Sequence, residues 1–168
     1  MTMDTRTVAR AMVLVALGVA LSPFTSIPIG IARINPAQHF INVVAATLMG
    51  PWWAAGIALA IGILRNAMGT GTLLAFPGGM IGAFLAGVLY RLTRNAYLGA
   101  LGELIGTGFL GAMASALLVA PVFMKKTMAI GGLVVAFSGS SLLGAILGLG
   151  ALRLLERAGY VQLSRKDL

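Results

Sequence analysis

The runs MVLVALGVAL, residues 12–21, and LLGAILGLGAL, residues 142–152, decide the fold. Neither alternates polar with apolar positions, as a strand of a membrane barrel must when one face meets lipid and the other water. Inside a bilayer the only other way to pair every backbone N–H and C=O is a helix. The remaining composition agrees. Of 168 residues, 59% are hydrophobic and 10% are charged, against about 25% charged in soluble domains. The chain therefore reads as an all-α integral membrane protein. At about 20 residues per span it has room for six or seven helices, and its punctuation selects six transmembrane helices in one domain over residues 1–168.

The spans follow from the breaks. The first apolar run, Val8 to Leu21, is predicted to stop at Ser22-Pro23, and the stretch to Asn35 reads as an ordered loop. Asn35-Pro36 is a helix start, with a capping oxygen followed by a proline that has no N–H to waste. A second helix should then run from Pro36 to Met49, about 21 Å long and short for a bilayer. Gly50-Pro51 breaks it, and Trp52 and Trp53 sit where interfacial indoles belong. Further helices are predicted from Pro51 to about Leu64, Ala75 to Tyr90, Tyr97 to Val119 and Gly131 to Leu155, followed by a basic tail.

The net charge of +8 comes as single and paired cations flanking apolar runs, which is a topology signal and not a nucleic-acid surface. With both termini cytoplasmic, Arg6, Arg10, Arg91, Arg94, Arg153, Arg157, Arg165 and Lys166 lie inside. Arg33, Arg65, Lys125 and Lys126 lie outside. Eight against four fits the positive-inside rule in a multi-pass protein of the plasma membrane.

Several chemistries are excluded. Cysteine is absent, so there is no disulfide, thiolate metal site or cysteine nucleophile. No Gly-Lys-Ser/Thr occurs, so no phosphate loop holds a nucleotide, and any ATP must be hydrolysed by another chain. The lone His39 lacks an adjacent acidic cluster for a zinc site. No cofactor or metal is expected.

What remains is a polar set near the outer side. Asn35, Gln38, His39 and Asn42 are spaced three or four apart and share a helix face. Arg65, Asn66 and Thr70 come from a second outer segment, with Phe76 as a flat apolar wall. Glu103 is the one acidic residue deep in an apolar run, with Thr107 a turn away. A carboxylate placed there is a functional-site hypothesis by default, with a structural helix tie as its alternative. Ser138, Ser140 and Ser141 could face the same space. Small residues four apart, Ala16 with Ala20, Gly78 with Gly82, Gly102 with Gly106 and Gly144 with Gly148, permit close helix contact.

The segments Asn35 to Val43, Gly50-Pro51-Trp52, Arg65-Asn66 with Gly69 to Gly78, and Gly102-Glu103 with Ile105 to Gly108 closely resemble the ThiW family of substrate-capturing S components of energy-coupling-factor (ECF) transporters. The resemblance implies a six-helix S-component fold, an outward-facing site, and docking through small residues of the first helix, best matched by Ala16 and Ala20. The partners it implies are a transmembrane coupling protein and two cytoplasmic ATPases. The implied cargo is a small neutral heterocycle, hydroxyethylthiazole, with the thiamine pyrimidine precursor or thiamine as alternatives. A small intramembrane enzyme using Glu103 and His39, or a stand-alone carrier, are the readings from other classes.

Overall fold

A computed structural model describes residues 4–29 and 32–163. Arg165 and Lys166, counted above as inner cations, lie outside the described residues, as does the side chain of Arg33. Helix α1 spans Thr5–Thr25, α2 Pro36–Met49, α3 Pro51–Ala67 and α4 Ala75–Thr93. Helix α5 spans Ala96–Phe123 and α6 Ile130–Arg157. Four of these, α1, α4, α5 and α6, are long and apolar enough to cross a membrane, while α2 and α3 are shorter. Large apolar side chains such as Leu117, Leu118, Val135 and Ile146 stay exposed on α5 and α6. On a chain of this composition they form a lipid-facing surface, and the chain is a predominantly helical membrane protein.

Helix α2 begins and ends where the sequence places it. The Asn35 side chain accepts from the Gln38 N–H at 3.1 Å, and Pro36 occupies the first turn. The other end closes at Gly50, whose φ of 87° suits a residue without Cβ. The Arg91 guanidinium packs over that glycine. Pro51 then opens α3 directly, so a single residue joins the two helices.

Two expectations are corrected. Helix α1 does not stop at Ser22-Pro23 but continues to Thr25. Pro23 removes one backbone donor, and hydroxyls supply local bonds in its neighbourhood: Ser22 donates to the Gly18 carbonyl at 2.6 Å and Thr25 to the Leu21 carbonyl at 3.1 Å. The following loop contains an antiparallel pair, Ile27–Ile29 (β1) with Ala32–Ile34 (β2), in which Ile27 faces Ile34 and Pro28 faces Arg33. The fold class is thus helical with one small hairpin. Pro28 is tolerated because a two-stranded ribbon is all edge.

Helix α2 is the axis of the bundle, packed by α6, α4, α3 and α1, and most of its residues are buried. Glycines set these distances. A Cβ on Gly148 of α6 would lie 2.9 Å from the Cβ of Val43 on α2, and one on Gly106 of α5 would lie 2.6 Å from the Cα of Gly82 on α4. In α5 the turns widen to π geometry over Gly106–Gly111 and Ser115–Val119. Such bulges re-aim side chains, and the first contains Thr107.

Candidate functional site

The polar face of α2 points into the bundle, not toward water. Asn35, Gln38, His39 and Asn42 are all buried, as are Arg65, Glu103 and Thr107. Buried polar groups in lipid must find partners in the protein, and their hydrogen bonds define two groups that face each other across a small cavity.

Its floor is Glu103 of α5. One carboxylate oxygen, Oε1, receives His39 Nδ1 at 2.7 Å, the Thr107 hydroxyl at 2.9 Å and Asn42 Nδ2 at 3.1 Å. Asn42 also donates to the Gly79 carbonyl at 3.1 Å, and the Thr107 hydroxyl lies 2.9 Å from the Gly78 carbonyl. These contacts tie α2 and α5 to α4. They exist because Gly78, Gly79 and Gly82 leave room: a Cβ on Gly82 would stand 2.7 Å from Glu103 Oε2 and closer still to Thr107 Oγ1. The other carboxylate oxygen and the Asn42 carbonyl oxygen are buried without a hydrogen-bond partner among the described residues.

The roof is built from Arg65 at the end of α3. Its guanidinium, 1% exposed, donates to Gln38 Oε1 and, at 3.1 Å, to the Thr70 carbonyl. That carbonyl also accepts from Ser26 at 3.0 Å, joining the α3–α4 loop to the residue before the hairpin. Asn35 donates through its backbone N–H to Ser140 Oγ at 2.8 Å, and through its side chain to the Ser22 carbonyl at 3.2 Å. Between roof and floor lies a tight cavity walled by Asn35, Gln38, His39, Arg65, Thr107, Phe137, Ser140 and the glycine edge of α4. It has room for about one water molecule.

The structure therefore brings seven of the proposed residues together and redistributes the others. Asn42 and Glu103 lie beneath the cavity and do not line it. Thr70 takes part through its backbone carbonyl. Asn66 turns back to the Gly62 carbonyl at 2.9 Å and the Thr72 carbonyl at 3.4 Å, bracing its own loop. Phe76 packs over Gly62, where an added Cβ would meet its ring at 3.1 Å, so it supplies no wall. The aromatic wall is Phe137 of α6, with Ser140 one turn along. Sequence reading named Ser140 but missed Phe137, which lies three residues before it on the same helix face. Ser138 packs against Gly108 instead. Ala16 and Ala20 lie elsewhere, exposed along an apolar groove between α1 and α3 that Ala11, Gly56 and Ala60 also line. The inner face of α1 carries Gly18 and Ser22.

The site is thus a buried polar cluster around a small cavity, held among the apolar helices of a membrane protein. The chain belongs to the ThiW family of thiamine-precursor transporter proteins, whose family model matches residues 8–158. It is accordingly a transporter and not an enzyme. No curated protein matches the chain.

Proposed function

We propose that this transporter is the substrate-capture subunit of an ECF-type importer and that its cargo is a neutral precursor of thiamine, hydroxyethylthiazole before the pyrimidine. The carrying observation is the cavity between Arg65 and Glu103, where donors and acceptors from α2, α3, α5 and α6 converge beside the flat face of Phe137. A small ring with one hydroxyl would use such a wall and two or three polar contacts, and since the closed cavity has room for about one water molecule, the helices around it must part to admit the ring. Intact thiamine is the poorer fit, because its permanent positive charge would find one aromatic face, Phe137, among the lining residues and no cage.

In this reading the six helices form one S-component domain, α2 and α3 complete the set of spans, and both termini are cytoplasmic. The chain has no nucleotide motif, so it binds alone and depends on a coupling protein and two ATPases for uptake. The exposed small residues Ala16 and Ala20 support the α1–α3 groove as the coupling face, since small side chains let a partner helix approach closely. Replacing both by leucine should abolish uptake in cells and leave calorimetric affinity for hydroxyethylthiazole within about twofold. Equal loss of uptake and affinity would place these residues in the protein's own packing. Absence of binding by any thiamine precursor would refute the substrate.

A further inference from the structure

We infer that Glu103 is a positioning residue: it holds His39 in the tautomer protonated on Nδ1, so that Nε2 faces the cavity as an acceptor for a hydroxyl or amine of the ligand. The inference rests on the reading above that the cavity receives a thiamine precursor.

His39 lines the cavity and Glu103 does not. The carboxylate acts through the ring it grips, 2.7 Å from Nδ1. Asn42 Nδ2 donates to Glu103 Oε1 and the Thr107 hydroxyl and His39 Nδ1 lie within hydrogen-bond reach of it, whereas Oε2 has no acceptor within reach among the described residues. A proton on Oε2 would therefore be stranded, and one on Oε1 would have to be given to His39 Nδ1, leaving the ring's own N–H on Nε2; the charge balance of the site favours the ionised carboxylate with charge-assisted bonds instead. The tyrosine phenol of Tyr90 aside, the buried ionisable side chains among the described residues are Arg65, His39 and Glu103. One guanidinium and one carboxylate sum to zero, and an excess charge in this setting is expensive. The ring is then neutral, its single N–H is spent on Glu103, and Nε2 carries a lone pair. No described residue donates to it.

Ser140 presents the complementary group. Its oxygen accepts the Asn35 N–H at 2.8 Å, and no described residue accepts its proton, which is left to donate. The cavity thus asks for a neutral ring bearing one acceptor, matched to Ser140, and one hydroxyl or primary amine, matched to His39. Phe137 supplies the stacking face.

The chain contains one histidine, so its imidazole gives a single set of nitrogen resonances. With [15N]histidine in the full chain in lipid nanodiscs, long-range proton–nitrogen correlation without ligand should show Nδ1 protonated and Nε2 bare. A protonated Nε2 in the wild type would overturn the inference. Glu103→Gln keeps an acceptor oxygen and should keep the tautomer, whereas Glu103→Leu should move the proton toward Nε2. Calorimetry then compares hydroxyethylthiazole with 5-ethyl-4-methylthiazole, which lacks the hydroxyl. We expect about a tenfold preference for the alcohol in the wild type and Glu103→Gln, collapsing to near unity in Glu103→Leu. Equal affinity for the two thiazoles in the wild type would overturn the inference while leaving precursor binding intact. If no thiamine precursor binds, the function fails instead, and the unliganded spectrum still decides the tautomer.

Discussion

Gly82→Ala tests whether the close approach of α4 and α5 makes the site. The added methyl would stand 2.7 Å from Glu103 Oε2 and 2.9 Å from Glu103 Cδ, about 0.7 Å inside the shortest ordinary contact of 3.4 Å. Neither neighbour can yield cheaply. Glu103 is held by contacts with His39, Asn42 and Thr107, and Thr107 also lies within hydrogen-bond reach of the Gly78 carbonyl, while Gly106 already sits against the backbone of Gly82. The helices must part. Overpacking of this kind costs about 1–3 kcal/mol, and stretching one of the Glu103 bonds adds about 1 kcal/mol. For a chain of this length each 1 kcal/mol lowers Tm by roughly 2–4 °C, so a drop of about 5–15 °C is expected in a detergent melt. His39 and Thr107 move with the floor, and affinity for hydroxyethylthiazole should fall at least about tenfold. Gly139→Ala on α6 is the control, because its Cβ would meet nothing within 4 Å. If Gly82→Ala melts and binds like that control, the α4–α5 contact does not shape the site.

Two further substitutions separate the roof from its supports. Arg65→Gln removes the buried guanidinium and should raise the affinity for thiamine relative to hydroxyethylthiazole; an unchanged ratio in paired calorimetric titrations would show that charge repulsion does not exclude the cation. Asn66→Ala loses the bonds to Gly62 and Thr72 and should cost about 1 kcal/mol of stability with affinity nearly unchanged, whereas a large loss of binding would return Asn66 to the cavity.

The local part of this architecture was legible because single residues carry it. Asn35-Pro36 and Gly50-Pro51 bracket α2 to the residue, and the spacing of Gln38, His39 and Asn42 gives their common face. Glu103 and Thr107 are four apart and their contact is a helical one. The contacts of Glu103 with His39 and Asn42 are different in kind, since they join positions more than 60 apart and no local pattern encodes which helix a carboxylate will meet. Rotation about a helix axis is the other loss. In a soluble helix the polar side marks the surface, but α4 and α6 are apolar on the lipid side as well as inside. Nothing in the alternation therefore showed that Phe76 would turn to Gly62 and Phe137 to the cavity. The hairpin and the passage of α1 through Pro23 were hidden for a related reason: both depend on hydroxyl or strand partners that the chain supplies only once folded.

The shortness of α2 bears on how the protein is made. Its first two turns carry Gln38, His39 and Asn42, and a segment of 14 residues so burdened has little tendency to leave the translocon for lipid unaided. One residue separates it from α3, whose end holds the Arg65 that satisfies Gln38. The two helices are therefore suited to leave as a unit, and the Glu103 carboxylate that receives His39 and Asn42 is synthesised only later. Until α5 arrives, the imidazole and amide groups of α2 must be sheltered by water in the channel or by the insertion machinery. The polar cluster is then completed only late in synthesis, and a ribosome stalled before Glu103 would hold an intermediate whose costliest polar groups still await their acceptor.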